Sequence, residues 1–155
     1  MSMGYNVVLF TDEYHPWDEY DLPKGVKRVV LPSALALNHE QYNIRAKELI
    51  TELEKYQVDV MCYQAASSRL LLFDLILIKM QKIPVIISIH EMVFQSFLSL
   101  SPEIVNRPSM YRLADVVTVL SNNDRLFWNH LDLNAIYLPN PIDETLITNK
   151  KRKEE

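Results

Sequence analysis

Apolar residues occur in short runs that are separated by longer stretches of mixed composition. Three runs, VVLF at 7–10, IPVIIS at 83–88 and VVTVL at 116–120, are nearly continuous instead of alternating with polar residues. Strands that are buried on both faces of a parallel sheet have this pattern. The pattern predicts six strands, which span Asn6–Thr11, Val26–Leu31, Val58–Tyr63, Ile83–Ile89, Val116–Leu120 and Ala135–Leu138.

The segment Asn38–Tyr56 has the pattern of an amphipathic helix. Its apolar residues recur at helical spacing and share one face. These residues are Tyr42, Ala46, Leu49, Ile50 and Leu53. Asn38, with Gln41 three residues later, resembles a capping box and predicts the start of the helix.

Two further helical segments are predicted between the later strands. Ser67 is a candidate N-cap for a helix that continues to about residue 82 and is apolar on nearly every side. Residues Met92–Arg112 are predicted to form an irregular helical region that is broken at Pro102 and Pro108.

Strands that alternate with helices predict a parallel sheet with right-handed crossovers and helices on both faces. The alternation continues to the last pair, in which a helix over Asn122–Leu131 precedes the final strand. A length of 155 residues predicts one domain. We therefore predict an α/β fold with a Rossmann-like, doubly wound, mainly parallel sheet.

Composition argues against several classes of function. The two glycines, Gly4 and Gly25, are too far apart to form a G-x-G-x-x-G motif or a P-loop. A net charge of −4 argues against a dedicated nucleic-acid-binding domain. The single cysteine, Cys62, excludes an internal disulfide and a multi-cysteine metal site. Because Cys62 stands within an apolar strand, we expect a buried, unreactive thiol.

The hydropathy of the chain predicts no membrane-spanning helix, since no run of 18 or more apolar residues occurs. The first residues also lack the basic and apolar regions of a signal peptide. These features lead us to expect an intracellular, cytoplasmic domain.

Polar residues follow four of the predicted strands at their carboxyl ends. In doubly wound sheets, ligands bind at this edge. The residues are Thr11–Glu13, Tyr63–Gln64, His90–Glu91 and Ser121–Asn122. We therefore predict the ligand site among them.

Four segments of the chain match motifs that belong together in one family. IPVIISIHE (83–91) looks like "P-V-V-x-T-x-H-D/E", and RLADVVTVLS (112–121) looks like "R-x-A-D-x-V-x-x-x-S". LPNPID (138–143) is similar to "I-P-N-G-V-D", and GYNVVLFT (4–11) is similar to "G-H-E-V-T-V-L-T". In this order and spacing, the segments resemble the family-four glycosyltransferases.

This resemblance covers Gly4 to Asp143 and implies the N-terminal, acceptor-side half of a GT-B fold, with residues 144–155 as the start of a linker and a tail. It implies a retaining transferase that takes sugar from a nucleotide-sugar donor, in polysaccharide or glycolipid synthesis. The family's first strand–helix unit and its C-terminal, donor-binding domain have no counterpart here. We therefore expect activity of the full-length protein and none from this chain alone.

The resemblance implies that His90 is catalytic, facing the sugar acceptor and the transferred sugar. Glu91, Gln64, Ser121 and Asn122 are candidate substrate-binding residues because they share its edge of the sheet. Each has a structural alternative: loop backbone could satisfy the histidine, and Glu91 could cap the next helix. For Ser121 and Asn122, capping of the following helix is the preferred interpretation.

No cofactor and no metal are expected, because the GT-B architecture stabilises phosphate with side chains and helix ends. In the LPNPID segment, Asn140 is interpreted as structural. Pro141 replaces the family's usual glycine, so that the turn must differ, since proline fixes φ near −65°.

The segment Asp12–Asp21 (DEYHPWDEYD) is rich in acidic and aromatic residues. Its tyrosines and tryptophan, Tyr14, Trp17 and Tyr20, could form a platform for a sugar, although an exposed acidic loop is the preferred interpretation. A metal site is a further alternative on ligand chemistry. It would use Asp12, Glu13, His15 and Asp18.

Two further partners are considered. Phe94, Phe97 and Leu98 belong to an apolar run that could enter a membrane surface, or could pack in the core or against a second domain. The family's first strand lies between the equivalents of the first and third predicted strands. Without it, either these neighbours close up or open edges remain, and open edges favour a homodimer or strand exchange.

A second class of function also fits the fold. A non-catalytic α/β interaction module could have the same architecture, since fold alone does not determine function. Half of a sugar-nucleotide epimerase is a third, weaker hypothesis. The downstream gene sequence would discriminate, because a domain with a paired-glutamate nucleotide motif favours the transferase.

Overall fold

A computed structural model describes residues 4–12, 21–32, 38–64, 70–93 and 102–141, with side chains from residue 106 onward in the last range. Within these ranges the chain forms six strands and four helices, and their order, which alternates from β2 onward, confirms the predicted α/β class. The elements are β1 (Val8–Thr11), β2 (Lys27–Val30), α1 (His39–Lys55), β3 (Met61–Tyr63), α2 (Leu71–Met80), β4 (Val85–Ser88), α3 (Pro102–Tyr111), β5 (Val116–Val119), α4 (Asn122–His130) and β6 (Ala135–Tyr137).

Strands β3 to β6 form a four-stranded parallel sheet in the order β3-β4-β5-β6. Each strand therefore pairs with the next one along the chain, and a helix connects each pair. Since such crossovers are right-handed, α2, α3 and α4 lie on one face of this sheet. The carboxyl ends of all four strands meet at a single edge.

The core lies between this sheet and its helices. Val85, Ile87, Val117 and Val119 of the two central strands are almost completely buried. This confirms the prediction of buried strands for the runs at 83–88 and 116–120. For the run VVLF at 7–10 the prediction was wrong, since Val7 and Leu9 are exposed and β1 belongs to a two-stranded sheet. The helices contribute Leu71, Leu75, Ile78, Tyr111 and Trp128, all buried to at least 99%.

Helix α1 begins where the sequence predicts. The Asn38 side chain accepts a hydrogen bond from the Gln41 backbone N–H at 2.8 Å, which satisfies one of the free N–H groups of the first turn. Leu49 and Leu53, on the predicted apolar face, are each 1% exposed. Gln57, just beyond the helix, has a positive φ of 49°, a conformation that often ends helices.

The third helix corrects one prediction. Pro102 is the first residue of α3, where a missing N–H costs nothing. Pro108 lies inside α3 without ending it. The helix continues beyond it, since the Arg112 N–H donates to the Pro108 carbonyl at 3.3 Å. Arg107 and Tyr111 on either side of Pro108 are buried, and their packing offsets the lost hydrogen bond.

Strands β1 and β2 form a separate two-stranded parallel sheet. No hydrogen-bonded strand joins β1 to β3 within the ranges that the structure describes, so the alternative of open edges is the one observed. Val7, Leu9 and Val60 are exposed beside these edges.

Cys62, on β3, is also exposed, and the expectation of a buried thiol was wrong. Its strand lies at the border of the four-stranded sheet, where neighbours cover it on one side only.

The Arg45 guanidinium of α1 connects the two sheets. It is 2% exposed, and its Nη1 lies 2.7 Å from Asp12 Oδ1, just after β1, and 3.2 Å from the Pro32 carbonyl oxygen, just after β2. Its Nε and Nη2 donate to the two carboxylate oxygens of Asp74 in α2, at 3.3 and 2.8 Å. The Tyr63 hydroxyl, at the end of β3, also donates to Asp74 at 3.3 Å. We call these five residues the Arg45 cluster.

Burial alone would lower the pKa of Arg45. The hydrogen bonds and charges of Asp74 and Asp12 outweigh burial, and the net effect raises the pKa of Arg45 above its usual range. The guanidinium is therefore charged at every pH at which the protein folds.

No helix among the residues that the structure describes combines the length and the apolar content needed to cross a membrane.

We expect Arg45→Met to lower the free energy of unfolding by about 3–5 kcal/mol, because it leaves the Asp74 carboxylate buried without its cation. The double variant Arg45→Met/Asp74→Leu removes both charges and should recover much of this loss. Urea denaturation followed by circular dichroism measures both values. Arg112→Met, the same substitution at an exposed arginine whose described hydrogen bond goes to the Leu131 carbonyl, is the control and should change little. Additive losses in the double variant would contradict the expected coupling.

We expect the open edges of β1 and β3 to associate with a second copy of the chain, because unpaired edges recruit other strands. Sedimentation equilibrium over a range of protein concentrations should show a reversible dimer. Leu9→Lys places a charge at the β1 edge and should weaken the association. A sharp monomer at all concentrations would contradict the expectation.

Candidate functional site

The predicted ligand site lies at the carboxyl edge of the strands. Gln64 follows β3, His90 and Glu91 follow β4, and Ser121 and Asn122 follow β5. Because β3, β4 and β5 are parallel neighbours, these five residues lie along one edge, as predicted. Their side-chain contacts form three groups: His90 with Gln64, Glu91 with Arg107 of α3, and Ser121 and Asn122 with residues at the start of α4.

His90 and Gln64 form the first pair. His90 is exposed, and its Nε2 lies 2.6 Å from Gln64 Oε1. An amide oxygen only accepts hydrogen bonds, so the Nε2 must carry the proton and donate. The neutral imidazole then has an unprotonated Nδ1, for which no partner exists among the described residues. The pair therefore presents an oriented hydrogen-bond acceptor at the edge of the sheet.

Glu91 forms an ion pair with Arg107 of α3. Arg107 Nη1, from α3, lies 3.1 Å from Glu91 Oε2. The Arg107 side chain is 6% exposed and that of Glu91 is 48% exposed, so one partner is buried and the other reaches water. Tyr111, one turn after Arg107, is fully buried, and burial raises its pKa to about 12. Its phenol is therefore neutral beside this ion pair.

The side chains of Ser121 and Asn122 make hydrogen bonds with residues in the first turn of α4. The Ser121 hydroxyl accepts from the Asp124 backbone N–H at 3.0 Å, which confirms it as the N-cap. The same hydroxyl donates to Asp124 Oδ2 at 2.7 Å. Asn122 Oδ1 accepts from Arg125 Nε at 3.3 Å. Ser121 thus has the capping role that was preferred for it, whereas the described partner of Asn122 is a side chain and not a backbone N–H.

Asp124 holds the segment after β4 against α4. Its carboxylate is buried, and Oδ1 accepts from the Val93 backbone N–H at 3.3 Å while Oδ2 accepts from Ser121. This contact fixes the segment that begins with His90 relative to the end of β5.

Asp115, in the RLADVVTVLS segment, lies at the opposite edge of the sheet. Its carboxylate accepts two bonds of 2.8 Å from Lys79 and one of 2.7 Å from the Val85 N–H, at the start of β4. The hydrogen bond from Lys79, followed by that from Val85, lowers the pKa of Asp115. This motif residue therefore aligns β4 with β5 and cannot reach His90. Asn140 and Pro141 are exposed.

Several sequence hypotheses fall outside the described ranges. They concern Glu13, Tyr14, His15, Trp17, Asp18 and Tyr20 of the acidic segment, Ser67 as an N-cap, and Phe94, Phe97 and Leu98 of the apolar run. Asp12 is described, and it pairs with Arg45. Among the residues searched in the described ranges, no group of three or more histidine, cysteine or acidic side chains could hold a metal ion.

No protein-family model matches the chain, and no curated protein is significantly similar to it in sequence. The family resemblance of the short motifs therefore stays a hypothesis. Any proposal of function has to be argued from the geometry at the carboxyl edge of the sheet.

Sequence reasoning missed Arg107 and Asp124. Arg107 pairs with Glu91, and Asp124 holds the segment that follows β4. Arg107 lies in the segment 92–112, which has no clear period, so that its burial could not be predicted. Asp124 gave a clearer signal, since it stands three residues after the N-cap Ser121, the position where acidic side chains reach back to the cap.

We expect Gln64→Leu to change the tautomer of His90. In the unmodified protein, ¹⁵N chemical shifts of the imidazole should report a protonated Nε2 at neutral pH, because Gln64 Oε1 accepts from it. The leucine variant should show a mixture of both tautomers. Gln64→Asn, whose shorter side chain cannot span the same distance, should resemble it. Identical tautomer populations in all three proteins would contradict the role of Gln64.

Proposed function

We propose that the chain is the acceptor-side domain of a retaining glycosyltransferase, which transfers sugar from a nucleotide-sugar donor bound by a second domain. The single observation that carries the proposal is the exposed His90 imidazole, oriented by Gln64 at 2.6 Å at the carboxyl edge of a parallel sheet. Ligands of open α/β sheets bind at this edge. The segment that holds His90 also carries one of the motif resemblances.

His90 suits contact with a sugar hydroxyl. With Nε2–H engaged by Gln64, the neutral ring offers Nδ1 as an acceptor for a hydroxyl proton. In its protonated form the ring would offer Nδ1–H to an oxygen that gains negative charge. One well-placed donor of this kind is worth about 3–4 kcal/mol in the transition state. The second domain would supply most of the stabilisation of the departing phosphate.

The remaining candidates have more limited roles in this proposal. Glu91, half exposed and next to His90, could accept from an acceptor hydroxyl. Ser121 and Asn122 would act through the start of α4, since their side chains are engaged there. The proposal includes a cytoplasmic location, at the inner face of the membrane when the acceptor is a lipid.

The open edges of β1 and β3 favour one alternative, an interaction module without catalysis. Such a module would bind another polypeptide through backbone hydrogen bonds. It would need neither the imidazole of His90 nor its orientation by Gln64.

The test uses the full-length gene product with a panel of UDP-, GDP- and ADP-sugars, and measures release of the nucleoside diphosphate. We expect turnover, and a loss of about 100-fold to 1,000-fold in kcat for His90→Ala, as for removal of one transition-state donor. The matched control is His130→Ala, since His130 is also exposed but ends α4 at the opposite edge. Equal activity of both variants, or no turnover of any sugar nucleotide, would contradict the proposal.

A further inference from the structure

The exposed face of helix α2 consists of large apolar side chains. Leu72, Phe73, Ile76 and Met80 each expose between 36% and 71% of their surface. Leu72, Ile76 and Met80 are spaced by four residues, so they lie on one side of the helix. The opposite side of α2 is buried in the core. A helix that is apolar all round is normally covered on every side, so this face is expected to have a partner.

The two charged side chains of α2 already have partners within the chain. Asp74 pairs with Arg45 in the core, and Lys79 donates two hydrogen bonds of 2.8 Å to the Asp115 carboxylate. The apolar face of α2 therefore offers no charge that an oppositely charged partner could recognise. Two copies of this face can also meet without the cost of juxtaposed like charges.

The apolar face is long and narrow. From Leu72 to Met80 it extends about 12 Å at 1.5 Å per residue, and it is one helix wide. A second helix at an interaxial distance of about 8–10 Å covers a face of this shape. A membrane surface is a poorer match, because helices that lie on membranes carry lysine and arginine beside the apolar face, and α2 has only the paired Lys79.

The other helices do not offer a matching face among their described side chains. Each of them exposes polar or charged residues. These include Lys47 and Glu48 in α1, Asn106 and Ser109 in α3, and Asn123 and Asn129 in α4. Among the helices of the described ranges, the best match for the apolar face of α2 is therefore α2 of a second copy.

We propose that α2 forms the contact of a homodimer, in which its apolar face packs against the same face of a second copy of the chain. A two-fold axis perpendicular to the helices makes them antiparallel, and opposite ends of the helix dipoles then lie together. With Ile76 near the axis, Leu72 of one copy lies opposite Met80 of the other. This contact is separate from the association expected at the open strand edges, and it does not depend on sugar transfer.

The size of the apolar face predicts the strength of the dimer. The four side chains leave on the order of 400 Å² of apolar surface per copy, so the contact buries less than the about 1,200 Å² that is typical of a stable complex. The dimer should therefore be reversible and should dissociate on dilution.

Sedimentation equilibrium of the chain over a range of concentrations should show this dimer. Ile76→Lys and Met80→Lys should each raise the dissociation constant about tenfold or more, because the contact would bury a lysine charge. Leu126→Lys is the matched control, since Leu126 is an exposed leucine on α4, and it should leave the dissociation constant unchanged. Thermal denaturation checks that each variant is folded. A monomer at every concentration, or equal dissociation constants for the three variants, would overturn the proposal.

A cross-link locates the contact on α2. Cys62→Ser removes the exposed thiol of the chain, and Ile76→Cys or Leu126→Cys then introduces a single new one. A short bismaleimide should join two copies through position 76 but not through position 126. Leu9→Lys, which is expected to weaken association at the strand edges, should leave the cross-link at position 76 in place. Equal cross-linking at both positions would overturn the assignment to α2.

Vesicles test the alternative occupant of this face. Flotation with phosphatidylglycerol vesicles that is lost in Ile76→Lys, together with a monomeric chain in solution, would assign the face to a membrane and overturn the dimer. Absence of flotation, together with the cross-link at position 76, would support the dimer. Sugar-nucleotide turnover by the full-length protein is a separate measurement, so failure of the dimer leaves the proposed transferase function unaffected.

Discussion

The Arg45 guanidinium joins parts of the chain between which no described strand pairing exists. Sheet β1–β2 and sheet β3–β6 each have their own hydrogen bonds, and Arg45 contacts the ends of β1 and β2 on one side and Asp74 on the other. A buried ion pair adds little net stability compared with apolar packing, but it has strict geometric requirements. The Arg45 cluster therefore fixes how the two sheets are placed relative to each other. It thereby also fixes the surroundings of the edge that carries the candidate site.

Much of this fold follows from sequence pattern, because its determinants are local. Continuous apolar runs identified the central strands β4 and β5, and Asn38 identified the start of α1. The pattern was less informative where a charged side chain pairs with a residue that is far away in the sequence. Asp74 lies among apolar residues in the first turn of α2, which signals a buried carboxylate, but its partner Arg45 is 29 residues away. Pro108 was predicted as a break because local rules omit the burial of its neighbours.

The candidate site was predictable in its placement and less so in its contacts. A parallel sheet brings strand ends to one edge, so Gln64, His90 and Glu91 could be grouped from sequence alone. That Gln64 orients the imidazole and Glu91 turns to Arg107 depends on side-chain geometry across neighbouring elements. Ser121 shows the converse case, since the local rule for helix starts predicts its hydrogen bond with the Asp124 N–H. The edge thus combines locally determined and tertiary polar contacts.

The strand order β3-β4-β5-β6 has a consequence for how the molecule is assembled. Each strand pairs with its immediate successor in the chain, so every pairing closes a short segment of the sequence. Low separation between contacting residues favours rapid folding. The four-stranded unit can therefore form progressively from one end, whereas β1 and β2 are added to it through side chains. Native-state hydrogen exchange should then be slowest in β4 and β5 and faster in the amino-terminal pair, which gives the protein two levels of local stability.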